Sequence, residues 1–226
     1  MITGIATTTM TIITTTTAEP PPLLTLVQWL SPAFPTGAFA YSHGLEAVIA
    51  RGMVRDASTL ADWLRGLLDH GSARQEAALL AAALSPRADH AALDATARAL
   101  APSSERLEET FAQGAAFART VAALTGRALP PRALPVAVGE AVRPLGLPRS
   151  KVIALYLQAF LGNLCVIATR HVPLGQTQGQ AVLAALAPAI ARAARCARAC
   201  DLGSGALAAD LAAMQHEQLD IRIFRT

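Results

Sequence analysis

The sequence predicts an all-α fold, a single-domain helical bundle of roughly ten helices, and three observations predict it. Ala and Leu dominate from Pro22 onward with few β-branched runs, a composition that favours helix nearly everywhere. Across this body no stretch alternates apolar and polar side chains in the manner of a half-buried strand. Proline and glycine breaks fall at intervals that suit helices of ordinary length. With 53% hydrophobic residues in 226, the chain can bury one large core.

The elements follow in chain order. Residues 1–22 form a Thr-rich stretch ending in prolines, expected as a disordered tail; it lacks the basic start and long apolar run of a secretory signal. Residues 23–217 are expected as the helical domain. Ser31-Pro32 and Pro35-Thr36-Gly37 predict an early kinked loop. Ser85-Pro86 predicts a cap with proline at the first helical position, and residues 126–131 end another helix. From Ser104, Leu107, Phe111, Val121 and Leu124 recur at helical spacing and are expected to face the core. Glu105, Glu108 and Glu109 complement the dipole in the first turns of that helix. Residues 152–169 carry no formal charge and approach the length of a membrane span. Gln158, Gly162 and Asn163 near the middle favour the central helix of a bundle instead. Gly162 reads as a close helix contact. Near the C-terminus, Ser204 is expected to cap a helix whose Leu207, Leu211 and Met214 face the core at i, i+4 and i+7. Residues 218–226 then alternate apolar and charged side chains, as suits an extended tail that docks on something.

Charge narrows the function classes. Nineteen basic residues against sixteen acidic leave +3, without a run of like charges, and aromatics make up only 4%. That offers neither a phosphate-tracking stripe nor a base-stacking platform, so nucleic-acid binding is not expected. The three cysteines, Cys165, Cys196 and Cys200, have no disulfide-framework spacing and fit a reducing cytoplasm.

Catalytic parts are sparse. His43 and Glu46 are three apart and His216 and Glu217 adjacent, so each pair can be written as an acid and a base. Neither has a companion nucleophile, and the sequence contains no GxSxG, HExxH, P-loop or GxGxxG motif. No enzyme activity is expected. Cys196 and Cys200, four apart on an expected helix, form a two-ligand metal site at most, and simple burial is the commoner fate of such thiols. The segment 29–46 stands apart from ordinary packing. Pro32, Pro35, Gly37 and Gly44 are set among Phe34, Phe39 and Tyr41, which marks either a recognition surface or a hard structural corner.

That segment, SPAFPTGAFAYSHGLE, resembles the N-terminal text of the urease accessory protein UreF family. Further matches follow in order: Leu134-Pro135 with Val138-Gly139, the Leu-Gly-Leu-Pro step ending at Pro148, Phe160-Leu161-Gly162-Asn163-Leu164, and Arg170. After these come Val172-Pro173-Leu174-Gly175-Gln176-Thr177 with Gly179-Gln180, then His216-Glu217 and the closing Arg222-Ile223-Phe224-Arg225-Thr226. The resemblance spans residues 23–226, and the combined motifs are far more specific than any one alone. Two departures stand out: residues 218–221 replace a Thr-Gln-Tyr-Ser-like stretch, and His171 replaces the usual leucine.

The resemblance implies an all-helical homodimer without an active site, an adaptor that bridges UreD (also called UreH) and the GTPase UreG. The assembly would dock on apo-urease (UreABC), with GTP hydrolysis by UreG coupled to nickel delivery. Nickel and GTP would then be handled by the partner complex rather than held as cofactors; the alternative is a chaperone that holds nickel itself. Partner-binding positions are expected at Phe39, Tyr41, Ser42, His43 and Glu46 near one end and at Arg170, Pro173, Leu174, Gly175 and Gln176 in the turn after the apolar helix. The remaining positions are His216, Glu217, Arg222, Phe224 and Arg225 at the other end.

Overall fold

In the computed structural model, which describes residues 20–226, an eight-residue helix α1 (Pro22–Trp29) opens with proline in its first turn, where a missing N–H costs no hydrogen bond. Most of the expected N-terminal tail, residues 1–19, lies outside the described residues. A loop carrying a 3-10 turn (Ala38–Ala40) leads to α2 (Leu45–Ala50). Then come α3 (Ala57–His70), α4 (Ser72–Ala83), α5 (His90–Ala99), α6 (Ser104–Thr125) and α7 (Leu134–Val142). A second 3-10 turn (Arg143–Leu145) precedes α8 (Arg149–His171), α9 (Gln176–Cys196) and α10 (Leu207–His216). The described residues contain no strand.

The helix α8 is the axis of the bundle. Ile153, Leu157, Leu161 and Leu164 are fully buried. They share one core with Leu60, Leu64, Leu67 and Leu68 of α3 and Val182, Leu183, Leu186 and Ile190 of α9. Half of the apolar window that has the length of a membrane span is thus buried in the protein core. Gly162 is not the close contact between α8 and α9, since a Cβ there would sit at an ordinary 3.5 Å from Leu183. The close approach is one turn from the end of α8, where a Cβ on Gly179 would lie 2.7 Å from Thr169 Cγ2. Trp29 of α1 meets Phe117 of α6 edge-on at 6.1 Å, and Phe34 adds a tilted ring at 5.6 Å, so the early loop is pinned to the core. A smaller cluster of Leu79, Ala83, Ala97, Ala133 and Val136 joins α4, α5 and α7.

Local signals explain most helix ends and correct some expectations. Asp56 caps α3 reciprocally with Thr59, accepting its N–H at 2.8 Å while Thr59 Oγ1 accepts the Asp56 N–H at 3.1 Å. Pro86 does not begin a helix. The next one starts at His90, where the Asp89 carboxylate takes two free N–H groups, from Ala91 and Ala92, and so wins over the serine. The helix α6 begins at Ser104 as expected, capped by Ser103, and Gly126 ends it in the left-handed region at φ 70°. Ser204 hydrogen-bonds Asp210 and does not supply the N-cap of α10.

Two helices present faces other than the expected ones. In α6 the first half of the inward face is polar, with Arg106, Glu109 and Gln113 buried while Leu124 is exposed. In α10 the apolar stripe points outward: Leu207 is 69% exposed and Leu211 and Met214 are each 44% exposed, while Ala212, Ala213 and His216 face inward. The reason is steric. Gly44, at φ 74°, brings its backbone so close to α10 that a Cβ would meet Ala213 N at 2.8 Å, and only the alanine face fits that approach.

Candidate functional site

The C-terminal tail folds back onto the N-terminal loop, and buried polar groups make the join. Ser42, fully buried, donates from its N–H to the Thr226 carbonyl at 2.8 Å and from its hydroxyl to the same oxygen. The His43 N–H donates to Thr226 Oγ1 at 3.3 Å, and that hydroxyl donates to Glu109 Oε2 at 2.8 Å. The Arg225 N–H reaches the Ala40 carbonyl at 2.8 Å. Phe224, 6% exposed, packs edge-on to His171 at 5.1 Å. The tail therefore docks on its own chain, with Phe224 as its buried anchor. Ile221 and Ile223, at 85% and 67% exposure, are the apolar side chains it leaves outward.

Beneath the join lies a charged cluster. Glu109 Oε1 accepts from Gln113 at 2.9 Å and lies 2.7 Å from His43 Nε2, and Oε2 accepts from the Arg106 guanidinium as well as from Thr226. Arg106 also binds Glu76 Oε1 at 3.1 Å, and the Tyr156 hydroxyl donates to Glu76 Oε2 at 2.6 Å. Burial pushes the Glu109 carboxyl upward, but Arg106, His43 and the hydrogen bonds outweigh it and bring it from an ordinary 4.5 to about 2. Burial and the neighbouring Glu76 charge raise the Tyr156 phenol well above its usual range, so it stays a donor. His43 is held at φ 56° with its ring edge-on to Phe160 at 4.6 Å, and its Nδ1 has no partner among the described residues. A non-glycine residue in the left-handed region at this junction marks a conformation imposed by the surroundings.

A second group sits at the side of the join. His216, fully buried, is flanked by Glu46 Oε2 at 3.0 Å from Nε2 and Glu105 Oε2 at 2.7 Å from Nδ1. Glu46 Oε1 and Oε2 accept the Ile223 and Phe224 N–H groups at 2.9 and 3.0 Å, while Glu105 pairs with Arg222. Glu217 Oε1 accepts from Ser104 Oγ at 2.7 Å and from the Glu105 N–H at 3.0 Å, placing a carboxylate at the positive end of α6.

These contacts rearrange the acid–base pairs written from the sequence. His43 partners Glu109, Glu46 partners His216, and Glu217 serves the start of α6, so neither pair of sequence neighbours forms and each histidine has a hydrogen-bonded role instead. The structure does bring together Tyr41, Ser42, His43, Glu46, His216, Glu217, Arg222, Phe224 and Arg225. Phe39, 68% exposed, stands on the 3-10 turn beside them. Arg170 is exposed in the last turn of α8; in the turn that follows, Pro173, Gly175 and Gln176 are exposed and Leu174 is buried. Glu76, Glu105, Arg106, Glu109, Tyr156 and Thr226 were not among the expected site residues. A signal existed in α6: the face of Val121 and Phe117, continued backward in steps of three or four, runs through Gln113 and Glu109 to Arg106.

The cysteines do not form the expected helical pair. Cys196 is the last residue of α9 and Cys200 lies in the turn beyond it, so the one-face geometry is lost. Cys196 borders a cleft of about 260 Å³ shared with Arg74 and Asp201, which pair at 3.5 Å. Among the described residues no group of three or more His, Cys, Asp or Glu is placed to hold a metal ion.

The fold is an all-helical bundle whose buried polar groups tie the C-terminal tail to the loop at residues 40–46, and whose last described helix turns an apolar stripe outward. The chain belongs to the UreF family of urease accessory proteins. The UreF family model matches residues 54–187. The chain is 61% identical over 207 residues to the urease accessory protein UreF of Cereibacter sphaeroides, covering 90% of this chain and 98% of that protein. It is 53% identical over 206 residues to that of Paracoccus denitrificans (90% and 95%), and 51% identical over 207 residues to that of Roseobacter denitrificans (90% and 93%).

Proposed function

We propose that this protein is the adaptor of urease maturation that joins UreD to UreG and presents the assembly to apo-urease, with no active site of its own. In this reading it works in the cytoplasm, and the partner complex handles nickel and GTP. The observation that carries the reading is the outward stripe of α10, where Leu207, Leu211 and Met214 are exposed, followed in the tail by exposed Ile221 and Ile223. Three large apolar side chains on one exposed helix stripe, with two more exposed on the tail that follows, suit a protein partner better than water. We assign this face to UreD. Phe39 and the exposed Arg222 and Arg225, on the loop and tail just beyond it, offer an aromatic anchor and charges for UreG.

Leu211→Asp is expected to abolish co-purification with UreD while leaving the thermal unfolding of the isolated protein within about 2 °C, because the side chain is half exposed. Undiminished capture of UreD by that variant would reject this surface. Self-pairing is assigned to α1, where Leu23, Leu24 and Val27 are exposed. Leu24→Asp should shift a dimer to a monomer in analytical ultracentrifugation, and an unchanged sedimentation coefficient would count against that face.

A nickel-holding role for this chain is the weaker reading, because Cys196 and Cys200 lose their common helical face. Equilibrium dialysis of the isolated protein against nickel separates the two: saturable binding that Cys196→Ala removes would favour it over the adaptor.

A further inference from the structure

We propose that His216 is a proton-operated latch for residues 222–226, so that the partner face at the tail is assembled while the ring is doubly protonated and comes apart when the ring loses a proton. Both ring nitrogens face carboxylate oxygens, Glu46 Oε2 at 3.0 Å and Glu105 Oε2 at 2.7 Å. An ionised carboxylate only accepts, so two such contacts require two N–H donors, which only the imidazolium has. In either neutral tautomer one nitrogen would turn a lone pair toward a carboxylate oxygen, and His216 is fully buried, so the repulsion is not screened by bulk solvent.

What the ring holds is the tail. Glu46 receives the Ile223 and Phe224 N–H groups and Glu105 receives Arg222, so the same two carboxylates grip the ring and three consecutive tail residues. With the proton present, His216 and Arg222 balance Glu46 and Glu105. Without it, a net negative charge remains against the tail.

The other ionisable groups nearby are occupied elsewhere. Glu217 serves the α6 start, Arg51 of the α2 end binds Gln215, and His171 of α8 lies across Phe224. His43 and Glu109 grip Thr226 farther along. Burial raises Glu46, but the His216 hydrogen bond, the two tail N–H groups and the ring charge outweigh it and hold this carboxyl below its usual range. Glu46 therefore remains ionised on the alkaline side, where the latch opens through the ring. On the acid side its hold is lost as the pH falls through its depressed value, so tail docking has an optimum bounded on both sides.

The test uses the full chain in isolation. Amide hydrogen-exchange protection factors of Ile223, Phe224 and Arg225 are followed against pH by NMR, together with the ¹⁵N shifts of the His216 ring. Protection is expected to fall at least tenfold in step with loss of the ring proton. His216→Gln should lower protection at the optimum and remove that step. Protection that stays flat through the ring's titration, or a glutamine variant that keeps the wild-type profile, overturns the latch. The wild-type titration decides the matter even if the variant folds poorly. The link to a partner face rests on the adaptor reading, and UreD binding measured across the same pH range separates the two. Absence of UreD binding at every pH defeats the adaptor reading and leaves the latch to the exchange data.

Discussion

Replacing Glu109 by alanine is expected to destabilise the protein by about 3–5 kcal/mol, enough to remove much of the stability of a single domain. The carboxylate is 1% exposed and is met by Arg106, Gln113, Thr226 and the His43 ring. Its removal leaves Arg106 with Glu76 in place of two carboxylates and strips the buried His43, Gln113 and Thr226 groups of their shared acceptor, and breaking a buried ionic network in this way is the costly outcome. Chemical denaturation measures the loss as a lower midpoint; a shift under about 1 kcal/mol would mean that the cluster is not closed as described. The pH dependence has a definite sign. A carboxyl lowered from 4.5 to about 2 in the folded state contributes stability that is fully present above its unfolded value and is lost as pH falls toward about 2. Glu109→Gln should therefore flatten the acid limb of the stability profile between those values, even though it weakens the protein near neutrality.

Gly114→Ala is the second large effect, and no sequence motif announces it. A Cβ at this position of α6 would lie 1.8 Å from the Arg132 carbonyl oxygen, 2.8 Å from Leu134 N and 3.0 Å from Ala133 C. All three obstructing atoms are backbone, so no side chain can swing aside, and the segment that begins α7 must leave the face of α6. The expected cost is at least about 3 kcal/mol, the upper end for overpacking, and it overwhelms the gain of about 1 kcal/mol in helix propensity. Gly66→Ala in α3 is the matched control, since a Cβ there meets nothing within 4 Å. That exchange should raise stability by about 0.5–1 kcal/mol. Equal effects at the two sites would refute the steric account.

The helical text was legible because Ala, Leu and the proline and glycine breaks act locally. The early loop, the Gly126 stop and the long apolar helix needed no knowledge of distant residues. What misled was the direction in which faces point. Leu207, Leu211 and Met214 have the spacing of a core stripe, yet the fit between Gly44 and the alanine face decides which side turns inward. Arg106 and Glu109 have the chemistry of a solvated first turn, yet they sit inside because Glu76, Tyr156 and Thr226 come from other parts of the chain to satisfy them. Most of the expected positions at the two ends do converge: Ser42, His43 and Glu46 meet His216 and the tail. Their pairing was hidden because the nearest histidine and carboxylate in sequence are not the ones that touch in space.

The join between Ser42 and Thr226 spans 184 positions of chain. At ordinary translation rates of about 5–20 residues per second, the loop leaves the ribosome roughly ten to forty seconds before the segment that completes it. During that interval Ser42, His43 and Glu46 lack the groups that satisfy them, whatever the state of the helices between. The polar junction therefore forms late, once residues 222–226 have been made. Before that segment has emerged the helices can gather, but the loop and residues 222–226 cannot meet.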